Sequence, residues 1–179
     1  MSRALSGDEL KAFLAFERKK VEDALGAALE DLLPRIPENA REAVSHGVSS
    51  GGKRLRPILC VAAFRAVGGE GAEVYSLAVS LELIHAYSLM HDDLPCMDDA
   101  ALRRGQATTH MVHGEVATTV AGALLIPGAS LHLYERAIGM GLPADGARTL
   151  VGELSRAAGG GGMVGGQVLD LLGEVRLRQ

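Results

Sequence analysis

AEVYSLAVSLELIHAYSLMHDD, residues 72–93, carries one formal charge, Glu82, between Glu73 and Asp92. Its apolar residues leave no polar stripe at helical spacing, so the segment reads as a helix enclosed in the middle of a bundle. It ends in adjacent carboxylates, Asp92-Asp93. Asp98-Asp99 follow after Leu94-Pro95-Cys96-Met97, and Arg103-Arg104 come next. Side-by-side carboxylates repel, the more so as water is excluded. A cation between them turns that penalty into binding, and hard oxygen ligands favour Mg²⁺ with a phosphate as the remaining ligand.

Geometry sets a condition on this reading. Residues seven apart on an α-helix differ by about −20° around the axis. His85 and Asp92 therefore share a stripe, with Ser88 between them. On a straight helix Asp98 would fall about 240° from Asp92, too far round to share a cation. Pro95 disfavours helical geometry at Leu94, so the helix can end there and the chain can turn Asp98 back. The alternative is that Asp92-Asp93 merely close a helix and Arg103-Arg104 are solvated. Carboxylates at a helix C-terminus oppose the macrodipole, and that placement needs a compensating cation.

Outward from this segment the pattern stays helical. Ser6-Gly7-Asp8-Glu9 fits a capping box, and Leu10, Phe13, Leu14, Val21, Leu25, Leu29 and Leu32 recur at helical spacing to about Leu33. A short helix is expected from Glu38 to about Val48. Ser49 to Gly52 form a loop, and Pro57 opens a third helix ending near Gly68-Gly69. Further helical stretches are expected at about 108–125, 129–138, 145–157 and 162–172, with Gly159 to Gly162 as a joint. The chain has 179 residues, 47% hydrophobic and 3% aromatic, without Trp. One all-α domain over residues 1–179 is the expectation.

The formal net charge is −4, which provides no basic field for nucleic acid. Cys60 and Cys96 fit neither a metal spacing nor a disulfide framework, and read as free thiols of a reducing cytosol. The charged, amphipathic N-terminus does not read as a signal peptide. The longest uncharged run, Val116 to Leu131, contains Pro127 and falls short of the roughly 20 apolar residues of a bilayer span. A cytoplasmic protein without a membrane span is expected.

A second constellation is Gly51-Gly52-Lys53-Arg54-Leu55-Arg56-Pro57, in which glycines permit close backbone approach and three cations precede a helix start. Alone, such a loop is as readily plain surface, and it lacks the spacing of a P-loop or dinucleotide fingerprint. His91, His110 and His113 invite a zinc reading but lack paired cysteines or an HExxH context, and read as structural.

Taken together, GGKRLRP, the helix ending HAYSLMHDDLPCMD, the following LRRG and TTH, and GMVGGQVLDL resemble bacterial farnesyl diphosphate synthases in order and spacing. These belong to the trans-isoprenyl diphosphate synthases, and the resemblance spans most of residues 10–172. It implies an isoprenoid-synthase helical array that joins isopentenyl diphosphate to an allylic diphosphate (dimethylallyl or geranyl). Asp92 and Asp98 would hold Mg²⁺ against the allylic diphosphate, with Asp93 as a helper, and Arg103 would contact that same diphosphate. Lys53, Arg56, His85 and Arg104 would hold isopentenyl diphosphate. The family ionises the allylic substrate and joins the double bond of isopentenyl diphosphate to the resulting cation, with loss of a proton. Tyr87 and Ser88 stand where the family sets product length, and a ring at Tyr87 resembles a floor that stops growth at fifteen carbons. Without the resemblance, Tyr87 reads as ordinary packing. Gln167 in the glycine-rich segment would face the cavity, although a close helix crossing explains those glycines equally well. The resemblance also implies a homodimer, with the Gly114–Tyr134 region as the contact.

The sequence departs from the family at Ala100-Ala101, Ala107, Ala123 and Ile126-Pro127-Gly128. It reaches Gln179 without the family's second aspartate-rich motif or its Lys-Thr. Two accounts follow: a C-terminally short synthase, or a short inactive relative acting as a partner subunit. A geranylgeranyl (C20) product is the other alternative. On either account the 179-residue chain is expected to bind Mg²⁺-diphosphate weakly, to turn over little, and to expose apolar sides of its central helices.

Overall fold

The computed structural model describes residues 6–177, with side chains through Gly173. The first helix, α1 (Gly7–Leu32), starts on the expected capping box: the Ser6 hydroxyl accepts from the Glu9 amide at 3.3 Å and Glu9 accepts from the Ser6 amide at 2.7 Å. Pro34 sits in a 3-10 turn, Leu33–Arg35, and α2 follows over Glu38–Ser49. Next come α3 (Leu55–Ala66) and α4 (Glu73–Asp92). The chain continues through α5 (Thr109–His113), α6 (Glu115–Gly139), α7 (Ala144–Ala158) and α8 (Met163–Leu177).

The helix α4 is enclosed as its composition requires. It packs against α6 most extensively and also against α1, α2 and α3. Val79 and Leu83 are buried with Val21 and Leu25 of α1, Val44 and Val48 of α2, Val61 of α3, and Leu125 and Ala129 of α6. The one charge between its ends, Glu82, is buried and paired. The Arg54 guanidinium donates to Glu82 at 2.6 Å, to Glu22 of α1 at 2.9 Å and to the Val48 carbonyl at 3.3 Å. Three helices are thereby tied at one cation, because a buried charge persists only when it is paired and hydrogen-bonded.

Three expectations are corrected. The first concerns 108–125, which is not one helix. Gly114, at φ 84°, separates α5 from α6. The second concerns Pro127, which does not divide 108–125 from 129–138: α6 runs through it unbroken. Ala123 and Pro127 both lie on the exposed side of α6, so the carbonyl that proline leaves without an amide partner can face water. The third concerns the apolar run Val116 to Leu131. It belongs to a 25-residue helix that meets the length and composition of a bilayer span, yet Ala121, Gly122, Leu125, Ala129 and Leu133 of that helix are buried in the bundle.

A feature with no forecast is an antiparallel hairpin, β1 (Leu102–Arg103) and β2 (Gln106–Ala107), with Leu102 opposite Ala107 and Arg103 opposite Gln106. Its two-residue loop puts Arg104 at φ 55° and Gly105 at φ 79°. Positive φ at both loop positions is the hairpin geometry that matches strand twist. The hairpin carries both arginines of the LRRG stretch.

Candidate active site

The end of α4 turns as Pro95 allows. The Asp98 amide donates to the Asp92 carbonyl at 2.9 Å, the Asp99 amide to the Leu94 carbonyl at 3.1 Å, and the Ala100 amide to the Asp93 carbonyl at 3.1 Å. Asp99 adopts a left-handed φ of 49° to complete the turn. The fold therefore brings Asp98 back to Asp92. Burial first, and then the charge of Asp98, raise the pKa of Asp92. Arg103 lies near enough to oppose that rise.

Asp93 has a different environment from its neighbour. It is buried and takes the Arg103 guanidinium in a bidentate pair, at 2.8 and 2.9 Å from Nε and 2.5 Å from Nη2. A forked pair of this kind fixes the plane of the guanidinium as well as its place. Asp93 therefore orients Arg103 from beneath, a role the sequence left indistinct between two adjacent aspartates.

The basic loop and the hairpin meet in a cavity of about 460 Å³ lined by Arg18, Gly52, Lys53, Arg54, Arg56, Glu82, His85 and Arg104. Lys53, Arg56, His85 and Arg104 are thus brought to one cavity wall. Arg104 donates to the Gly51 carbonyl. Gly52, at φ 142°, lies in the backbone region that favours glycine, and the Arg104 guanidinium packs against it. Arg54 does not belong with the free cations of this loop: it is buried on Glu22 and Glu82. His85 lies under the cavity with its Nδ1 buried and without a hydrogen-bond partner among the described residues. Burial, and then the positive charge of Arg56, push the His85 pKa down to about 4.

Further along α4, Tyr87, Ser88, His91 and Asp92 line a mostly apolar cavity of about 170 Å³ with Met97, Met163, Val164, Gln167, Val168 and Leu171. Tyr87 is buried and meets the His91 ring edge-on at 5.8 Å. His91 lies 3.1 Å from the Thr119 carbonyl and fills the space where Gly122 would carry a Cβ. His110 bonds to the Thr108 hydroxyl. His113 pairs with His46 at 3.2 Å, a contact nothing in the local sequence of either residue announces.

Comparison with known proteins shows the family and the fold. The family model described as polyprenyl synthetase matches residues 37–178. Geranylgeranyl pyrophosphate synthase 9, chloroplastic, of Arabidopsis thaliana is 44% identical over 85% of this chain and 42% of its own length. The farnesyl diphosphate synthase of Bacillus subtilis is 40% identical over 94% of this chain and 56% of its own. An apo crystal structure of an FPP/GFPP synthase from Zymomonas mobilis superposes with a TM-score of 0.81 at 33% identity, covering 91% of this chain and 59% of that one. The chain spans about half the length of the curated relatives it matches. On the family model and these identities, this chain belongs to the polyprenyl synthetase family of trans-prenyltransferases.

Proposed function

We propose that this chain carries the magnesium- and diphosphate-binding face of a synthase that joins isopentenyl diphosphate to an allylic diphosphate. The observation that supports this most directly is the backbone turn returning Asp98 to Asp92, with Arg103 held beside them by Asp93. The donor set fits Mg²⁺, since Asp92 and Asp98 offer hard carboxylate oxygens, and a cation between them would offset the burial and repulsion that disfavour charge on Asp92. No three His, Cys, Asp or Glu side chains converge as a metal cage among the described residues. Asp92 and Asp98 would accordingly hold Mg²⁺ together with oxygens of the substrate diphosphate. Bound there, the cation supplies charge neutralisation for a departing diphosphate.

The chain's own residues do the rest. Arg103, its plane set by Asp93, offers its guanidinium to the allylic diphosphate. Lys53, Arg56 and Arg104 cradle the diphosphate of isopentenyl diphosphate, and the neutral His85 beneath them presents a hydrogen bond without adding charge. Tyr87, Met97, Met163 and Val168 wall a space that keeps water from a reactive hydrocarbon cation. Tyr87 forms the floor for a fifteen-carbon product. Geranylgeranyl synthases among the relatives keep a twenty-carbon product as the second reading. The exposed Val116, Val120, Ile126 and Leu131 of α6 make that helix the proposed homodimer contact. The proposed cytoplasmic location is supported by the two free thiols, Cys60 and Cys96.

The test is calorimetry of the purified chain with Mg²⁺ and inorganic pyrophosphate. Wild type shows Mg²⁺-dependent pyrophosphate binding beyond the metal-independent binding expected at Lys53, Arg56 and Arg104, and Asp92→Asn and Asp98→Asn each weaken the Mg²⁺-dependent part by about 10-fold or more. Undiminished binding in both variants overturns the assignment. For product length, Tyr87→Ala in a turning-over enzyme shifts products beyond fifteen carbons, read by chromatography. An unchanged profile removes Tyr87 as the floor.

A further inference from the structure

A hairpin with two residues in each strand is too small to hold its own shape in water, and this one is largely exposed: Leu102, Arg104, Gly105, Gln106 and Ala107 all face solvent. Four kinds of contact tether it. Arg103 is paired with Asp93, and Arg104 with the Gly51 carbonyl. At its base the Thr108 hydroxyl donates to the Ala100 carbonyl at 2.7 Å, and the Thr108 amide to the Ala101 carbonyl at 3.1 Å. Along β2, His46 Nε2 lies 3.1 Å from the Ala107 carbonyl. The first two contacts use the guanidinium groups that a bound diphosphate would compete for. Of these hydrogen-bonded contacts among the described residues, the stem threonine and His46 are indifferent to the anion, and His46 reaches the hairpin from another helix, α2.

His46 is itself oriented. Its Nδ1 lies 3.2 Å from Nε2 of His113 on α5, and the two rings stand nearly perpendicular, with centroids 5.2 Å apart. The Ala107 carbonyl can only accept, so His46 must carry its proton on Nε2. In the neutral ring Nδ1 is then an acceptor, and His113 satisfies it by donating from Nε2. The chain of donors runs one way, from His113 through His46 to the hairpin backbone.

We propose that His46 and His113 are positioning residues that hold the hairpin bearing Arg103 and Arg104 in register while those guanidinium groups engage a bound diphosphate. The inference rests on the diphosphate reading of the site, and goes beyond it by assigning a task to two imidazoles that touch neither substrate nor metal. Gln106 and Ala107 keep their place because an α2–α5 brace holds the strand, not because the hairpin is stable alone.

The experiment uses the full chain in mildly alkaline buffer. Long-range ¹H–¹⁵N spectra of the imidazoles are expected to show His46 and His113 both protonated on Nε2; a His46 ring protonated on Nδ1 alone overturns the brace. His46→Phe and His113→Phe are each expected to weaken Mg²⁺-pyrophosphate binding roughly 3- to 10-fold, the effect of about one hydrogen bond. Amide exchange at Ala107 and Thr108 is expected to speed up in both. His46→Gln, which can still donate to the Ala107 carbonyl, recovers part of the loss. His132→Ala removes a buried imidazole bonded to the Ser76 carbonyl far from the hairpin, and is expected to lower stability without changing affinity. An equal loss of affinity in His132→Ala, or unchanged exchange in His46→Phe, overturns the proposal. If wild type binds no Mg²⁺-pyrophosphate, the diphosphate reading fails by itself, while tautomer and exchange still decide the brace.

Discussion

The imidazole of His85 is half-buried on α4 beneath Arg56 and Arg104, and burial with that positive surround drops its pKa from the usual 6.5 to about 4. Between those two values the unfolded chain binds a proton that the folded chain refuses. Stability from this group is therefore complete above the unfolded value and is lost as pH falls through the folded one. Thermal melts of His85→Gln are expected to show a flatter stability profile between about pH 4 and 6.5 than wild type; parallel profiles would place the acid sensitivity elsewhere. At this scale the sequence was uneven. The return of Asp98 to Asp92 was legible because Pro95 and the angular arithmetic of a helix left one geometric way to join them. The role of Asp93 was not, since two adjacent aspartates look alike until a partner ten residues on, Arg103, chooses between them.

Among the elements, α6 shows most clearly how packing overrides local preference. Residue by residue, Ile126-Pro127-Gly128 reads as a break, because proline in a helix interior removes a hydrogen bond and crowds the preceding turn. The helix continues because Leu125 and Ala129, on the opposite side from Pro127, are completely buried. The penalty is still present. Pro127→Ala is expected to raise the unfolding free energy by about 1–3 kcal/mol in chemical denaturation, with no change in helix content by circular dichroism. The hairpin was illegible for a different reason. Arg-Arg-Gly-Gln has one glycine where such turns favour two permissive residues, and tertiary tethers, with Arg104 accepting a left-handed backbone, make up the difference. The capping box at Ser6 and the enclosed character of α4 needed no distant partner, and both could be read directly.

Across the whole molecule, Arg54 joins what the sequence could only present separately. It looked like one cation of a phosphate loop, and Glu82 looked like an isolated charge in an apolar helix. The structure sets one on the other at 2.6 Å, with Glu22 as a second acceptor. Arg54→Met leaves Glu82 buried without compensation. Its expected cost is about 3–5 kcal/mol in unfolding experiments, felt at α1, α2 and α4 together; a loss under about 1 kcal/mol, as for exposed pairs, would show that water reaches the carboxylate. The unbroken form of α4 has a consequence of its own. His85 borders one cavity and Asp92 the other, seven residues along a single rod, which is about 10.5 Å of rise. The rod works as a caliper whose jaws cannot drift. On the proposed function, larger or smaller substrates would be accommodated sideways, in the walls lent by α3 and α8, because one residue added between the jaws would swing one of them about 100° out of alignment with the other.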